Sequence, residues 1–223
     1  MADRLPLFPL GSVVVPGQLL PLHVFEPRYR ALVQDLQSLP EDERAFGVVA
    51  IRSGREVGED GVLALHEVGT VVRLHRVTPY PDGRYDVVGV GAGRFRVREV
   101  THERPYLVGA VDALPDEPGD ADEAALLAAG TADALATYLR ALGAAAGAQA
   151  QVPDLPDDPR ALSYVVAAGT RIDLDDRQAL LEVPDDAGRL RAALALLRRE
   201  VRLMRALRAV PAPELARVPL SPN

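Results

Sequence analysis

Three aspartate pairs, Asp157-Asp158, Asp175-Asp176 and Asp185-Asp186, have a type and spacing that suggest chemistry, because adjacent carboxylates can do acid–base work or hold a divalent cation. Each pair also stands just before a helical run, where a short acid accepts from free backbone N–H groups and meets the positive end of the helix dipole. Capping is the simpler reading. Gly89-Val90-Gly91-Ala92-Gly93 has the composition of a phosphate-cradling loop. A dinucleotide fingerprint needs a helix after it, and here the chain continues as an alternating strand, so a glycine-kinked hairpin or bulge is expected instead. His23, His66, His75 and His102 show no ligand spacing, and His102-Glu103 lacks the second histidine of H-E-x-x-H. No metal, no cofactor and no catalytic residue are expected.

Two missing residue types exclude whole classes of mechanism. All 25 basic residues are arginine, so no lysine is present to reach nucleotide phosphates, to act as base in a Ser-Lys dyad, or to form a Schiff base. Cysteine is absent too, which removes disulfides, thiolate metal sites and thiol nucleophiles. The five serines and four histidines form no G-x-S-x-G elbow or nucleophile–base spacing, which argues against an unrecognised hydrolase. Net charge is −7, and the half after residue 115 is the more acidic, which argues against a nucleic-acid-binding face. No apolar run approaches the roughly 18 residues of a membrane span. Asp3, Arg4 and several prolines interrupt any secretory h-region. A soluble, cytoplasmic protein that does not enter membranes is expected.

The elements follow from periodicity. Arg94-Phe95-Arg96-Val97-Arg98 alternates strictly, which predicts Phe95 and Val97 on a buried face and three arginines on a solvated one. Residues 69–78 and 84–90 are β-branched runs around a Pro81-Asp82-Gly83 hairpin turn. Residues 46–51, 62–68 and 107–114 are further strands. Leu5-Pro6-Leu7 and 22–25 are short and proline-bounded, as edge or barrel-closing strands are. Seven or so short strands predict a small barrel. One helix interrupts them, opened by Pro27 after Glu26, with Tyr29, Leu32, Val33 and Leu36 at helical spacing. Residues 53–61 read as a flexible polar loop.

The period changes to helical after an acidic Pro/Gly linker at 115–119. Asp120 and Glu123 resemble a capping box ahead of Leu127, Leu135, Tyr138 and Leu142. Residues 143–153 read as a mobile connection. Asp158-Pro159 opens a helix that Gly169 closes, and Asp175 with Gln178 opens another that Pro184 stops. The last helix, about 186–209, sets Leu190, Leu194, Leu197, Val201 and Met204 on one seam, with Arg191, Arg198, Arg199, Arg202 and Arg205 off it. The fold class is therefore α+β, divided into a β pseudo-barrel subdomain over 1–115, a helical bundle subdomain over 116–210, and a proline-rich tail over 211–223.

The opening, Leu5-Pro-Leu-Phe-Pro-Leu-Gly-Ser-Val-Val-Val-Pro-Gly17 and then Leu20-Pro-Leu-His-Val-Phe-Glu-Pro-Arg-Tyr-Arg30, is similar to the start of N-terminal domains of the Lon protease family. Phe46-Gly-Val-Val-Ala50, Gly69-Thr-Val-Val-Arg73, Asp82-Gly-Arg-Tyr-Asp86 and Gln178-Ala-Leu-Leu-Glu182 resemble later segments of that domain. The resemblance implies a PUA-like pseudo-barrel with one inserted helix joined to a helical bundle that ends in a long helix. It implies a stand-alone, non-catalytic substrate-recognition module without the ATPase and peptidase parts. Its partners would be unfolded or tagged protein segments, with a separately encoded protease as a further candidate; oligomeric state stays open.

The family segment around Glu26-Pro27-Arg28-Tyr29 suits a helix docked beside the barrel. A functional reading has Phe8, Phe25 and Tyr29 bordering an apolar groove, with Arg28 gripping a peptide carbonyl or carboxylate. The alternative function is RNA binding, since PUA-like barrels hold RNA elsewhere. The arginines at 94–98 and the basic last helix motivate it, while ten aromatic residues and the acidic net charge oppose it.

Overall fold

A computed structural model describes residues 3–54, 62–117, 119–147 and 152–209. Most of the loop expected over 53–61, part of the connection expected over 143–153, and the tail 211–223 lie outside the described residues. The strands are β1 (Asp3–Leu10), β2 (Leu19–Val24), β3 (Ala45–Gly54), β4 (Val62–Leu65), β5 (Val68–Pro79), β6 (Tyr85–Thr101) and β7 (Val108–Leu114). The helices are α1 (Pro27–Gln37), α2 (Ala121–Ala145), α3 (Pro159–Gly169), α4 (Leu174–Glu182) and α5 (Asp186–Ala209).

Strand order β1-β7-β6-β5-β3 closes when the second half of β1 pairs with β3, so five strands form a barrel. β1 achieves this by changing partner: residues 3–6 run antiparallel to β7, and residues 7–10 run parallel to β3. β2 and β4 lie outside the closed ring, paired with β6 and β3 respectively. The 5–6 hairpin turns where expected, with Gly83 at φ +82° and backbone bonds between Tyr80 and both Gly83 and Arg84.

The glycine-rich stretch is strand with a bulge, because Val71 faces Gly93 and Val72 faces Gly91, leaving Ala92 as the extra residue. Gly91 is required there: a Cβ would lie 2.3 Å from the Val15 carbonyl oxygen. Its own N–H and carbonyl are bonded to Gln18 and Gly17, so the loop before β2 is laced to β6.

The acid pairs act at helix starts, with one correction. Asp158 accepts from the N–H of Ala161, and Asp185 from that of Gly188. The cap of α4 is Asp173, which accepts from the N–H of Asp176, and not Asp175; Asp175 and Asp176 occupy the first turn, where they still meet the positive helix end. α2 also runs to Ala145, past the expected end at 142.

The bundle is fastened to the barrel by shared apolar packing and by a buried ionic knot. Val13, Val15, Ala50 and Val68 from the β half pack in one cluster with Leu162, Leu180, Leu190 and Leu197 from the helices. Gln178 of α4 donates to the Val68 carbonyl at 3.0 Å. The predicted solvated row of three arginines fails at its first member. The register is regular from Arg94 to Val97, so Arg94 stands opposite Phe95 as predicted, but the helical half covers that face, and Arg94 donates to the carbonyls of Leu181 (2.8 Å) and Val183 (2.7 Å). Arg94 and the fully buried Arg189 both pair with Asp116, at 2.8 and 2.9 Å, and Tyr164 donates its hydroxyl to the same carboxylate at 2.8 Å. Arg160 closes over the outer oxygen at 2.5 Å.

Burial pushes the Asp116 carboxyl up, but the Tyr164 hydroxyl and the Arg189, Arg94 and Arg160 guanidiniums outweigh it and hold it below the ordinary value. Burial, with help from that carboxylate, pushes the Tyr164 phenol up to about 12 despite the arginines. A buried charge is tolerable only when paired and hydrogen-bonded, and here one carboxylate pairs with the guanidiniums while backbone carbonyls of Leu181, Val183, Pro184 and Leu180 accept further N–H groups of Arg94 and Arg189.

Candidate functional site

The 19–25 segment puts apolar groups on both sides of a strand. In β2, Leu20, Leu22 and Val24 face the core, while Leu19, Pro21 and His23 face outward, and Phe25 continues the outward row as the chain enters α1. Leu19 is 63% exposed and Phe25 49%, well above the usual position of such side chains. β2 sits at an edge, paired among the described residues with β6 alone, which is where Pro21 is tolerated.

Beneath the row lies a fixed floor. Phe8 of β1 and Tyr29 of α1 stack at 4.0 Å between ring centres, both buried, with Phe46 at 6.1 Å from Phe8. Phe8, Leu22, Phe25 and Tyr29 line a depression of about 240 Å³. Of the four residues singled out from sequence, the structure thus brings Phe8, Phe25 and Tyr29 together, and only Phe25 projects. Arg28 stands beside them but is engaged: it donates Nε–H to Glu26 at 3.0 Å, pairs with the same carboxylate at 2.9 Å, and lies 4.6 Å over the Tyr29 ring.

The polar side of the face comes from the β5–β6 hairpin. His23 donates from Nδ1 to Asp86 Oδ1 at 2.7 Å, and Tyr80 donates to the other Asp86 oxygen at 2.5 Å. That phenol and the imidazole hold the Asp86 carboxyl below its ordinary value, and the carboxylate in turn raises the Tyr80 phenol. Tyr80, 38% exposed, lies 5.9 Å from His23, which lies 6.4 Å from Phe25, so the rings form a row across β2 and the hairpin. Both His23 nitrogens are occupied, Nδ1 by Asp86 and Nε2 by Arg84 at 3.2 Å, and no serine stands in this hydrogen-bonded chain. The arrangement can hold and orient a ligand by contact, and no proton-transfer or nucleophilic step follows from it. Among the described residues, no three His, Asp or Glu side chains gather as a metal site, and no helix is long and apolar enough to cross a membrane.

The profile of the ATP-dependent protease La (LON) substrate-binding domain matches residues 4–199. The chain belongs to this family. Its Lon relatives include Lon protease 2 of Sorangium cellulosum, 31% identical across 92% of this chain and 26% of the relative. Lon protease 2 of Thermus thermophilus is 30% identical across 94% of this chain and 26% of the relative. The chain therefore spans about a quarter of the length of the curated Lon proteases it matches. The crystal structure of a Lon N-terminal domain protein from Xanthomonas campestris superposes with a TM-score of 0.61 at 27% identity, covering 86% of this chain and 98% of that one. The N-terminal domain of Mycobacterium avium complex Lon protease, at 18% identity and TM-score 0.65, covers 88% and 98% and shares the fold. The Lon-like opening segments build most of β1 and β2 and the start of α1, so they carry Phe8, Phe25 and Tyr29.

Sequence reasoning missed Leu19, Pro21, His23 and Tyr80. The signal for the first two is present: 19–25 is apolar at odd as well as even positions, which leaves a strand with one apolar face too many. Nothing local joins Tyr80 and Asp86 to His23, whose contact spans 63 positions.

Proposed function

We infer that this chain is a non-catalytic module that takes up exposed apolar segments of other polypeptides on the β2 face. The observation that carries the reading is the outward row of Leu19, Pro21, Phe25 and Tyr80, beside a depression where Pro21 and Phe25 meet a packed floor of Phe8 and Tyr29. A preformed floor lets the ligand bind without an ordering cost on the protein side. Covering a half-exposed phenylalanine is worth on the order of 1 kcal/mol, so several such contacts add up to the weak, sequence-tolerant grip that unfolded segments need. Family membership supplies the class of partner. Arg28, fixed on Glu26, borders Tyr29 and can share a peptide carbonyl or carboxylate at the rim.

In this reading the chain serves protein quality control as an adaptor, with a separate protease among its partners, in the cytoplasm. The barrel (1–115) and bundle (116–210) act as two subdomains on one shared core. The test is retention of permanently unfolded polypeptides and apolar array peptides by the immobilised chain under native conditions. Retention of none contradicts the reading. RNA binding is weaker as an alternative: of its two motives, the strand arginines are partly committed, Arg94 buried on Asp116 and Arg98 paired with Asp112, which leaves the basic last helix on an acidic chain. Failure of any RNA to shift at low salt eliminates it.

A further inference from the structure

We propose that the trough between α2 and α5 is a second docking surface, distinct from the β2 face, and that its occupant is an acidic amphipathic helix of a partner protein. A cleft of about 770 Å³ runs between the two helices, and a neighbouring one of about 350 Å³ shares Thr137 and Arg205 with it. On the α2 side, small residues recur at helical spacing, Gly130, Ala134, Thr137 and Ala141, which leaves the trough open; on the α5 side Leu197 and Val201 give it an apolar floor. From residue 130 to residue 141 is roughly 17 Å along a helix, enough for about three turns of a docked one.

The charge at the rim identifies the occupant. Arg198, Arg202 and Arg205 stand at i, i+4 and i+7 of α5, with Arg140 across from them, and all four are exposed. None forms an ion pair among the described residues, although the chain carries an excess of acids. Their neighbours on the same helix do: Arg191 pairs with Glu123, and Arg199 with Asp176 and Glu200. The acid that lines the trough, Asp133, forms no ion pair among the described residues either. A basic strip over an apolar floor, on a chain of net charge −7, fits a ligand with acids on its flanks and apolar groups along one face.

Two other occupants fit less well. Nucleic acid would use stacking platforms, and no aromatic residue lines either cleft. The chain's own stretch 210–223 carries one glutamate and one arginine, so its side chains bring no net charge. Arg202 and Arg205 lie beyond residue 199, where the family match ends, whereas Arg140, Arg198 and the α2 wall of the trough lie within it.

The test is an anisotropy titration with a labelled synthetic helix built from leucine, alanine and glutamate, beside its glutamine-for-glutamate counterpart and an oligouridylate. The acidic helix binds and weakens as salt rises, the glutamine version binds about tenfold more weakly, and Arg198→Gln/Arg202→Gln/Arg205→Gln loses about the same factor. The Lys triple at those positions keeps most of the affinity, Arg98→Gln keeps all of it, and chemical-shift changes fall on α2 and α5. Circular dichroism confirms that the variants fold, as exposed positions permit. Equal binding of the two helices, an unaffected glutamine triple, shifts confined to β2, or binding of the oligouridylate in place of the helix each overturns the proposal. So does acidic-helix binding that arises only after residues 210–223 are deleted, which would make that stretch the occupant.

Discussion

The Asp116 knot and the β2 face put the same kinds of side chain to opposite uses. At the knot, Arg94 and Arg189 are buried, every charge has a partner, and the ring of Tyr164 lies 4.1 Å from the Arg189 guanidinium. On the β2 face, Phe25, Tyr80 and Leu19 stand in solvent, and the polar contacts around them, the His23–Asp86 hydrogen bond and the Arg84–Asp82 ion pair, are exposed. Charge inside and apolar surface outside both invert the usual arrangement. The first inversion is compensated within the chain, so it is structural. The second has no compensation among the described residues, so it points to a partner.

The largest effect that separates the two regions is on stability. Asp116→Ala leaves Arg94 and Arg189 buried without their carboxylate and is expected to destabilise by about 3–5 kcal/mol in urea unfolding. A loss below about 1 kcal/mol would mean that the knot is not what holds the bundle on the barrel. Phe25→Ala should do the reverse: its stability stays within about 0.5 kcal/mol of wild type, while affinity for unfolded polypeptide falls about tenfold. If both variants lose stability and binding together, the two regions are one.

Alkaline pH sharpens the contrast further. Tyr164 and Tyr106 both hold their protons to about 12, Tyr106 through burial and its 2.6 Å bond to Asp35. Because the folded state binds the proton more tightly, this stabilisation is complete below the unfolded phenol value near 10 and is lost between about 10 and 12. Ultraviolet titration should place the Tyr106 and Tyr164 phenols among the late-ionising groups, and Tyr106→Phe and Tyr164→Phe should each remove one late step. In acid the sign is opposite. The depressed Asp116 carboxyl contributes stability above its unfolded value near 3.8, lost as pH falls through the lower folded value. Asp116→Asn should therefore flatten the acid limb of the stability profile.

The architecture was readable because it rests on local signals. The Pro81-Asp82-Gly83 turn, the Pro27 helix start and the aspartates before α3 and α5 each act within a few residues, and the structure places all of them as expected. Arg94 was misplaced because alternation tells which face a side chain takes and not what covers that face: here the end of α4 does, with carbonyls nearly ninety positions away. Arg189 gives no sign at all, since it sits among the arginines of an amphipathic helix and its burial depends on Asp116, 73 positions earlier. At the face, Phe8 and Tyr29 looked like a groove wall because an aromatic residue signals contact without saying on which side. The stack at 4.0 Å makes them its floor.

The central claim is that Phe25 and its neighbours on β2 hold unfolded polypeptide. The most direct measurement is an anisotropy titration of a labelled, reduced and alkylated polypeptide against the wild-type chain and Phe25→Ala/Tyr80→Ala, with thermal unfolding recorded on both. We predict saturable binding by the wild type, a loss of tenfold or more in the double variant, and superimposable unfolding curves. Equal binding by two equally stable proteins would contradict the claim.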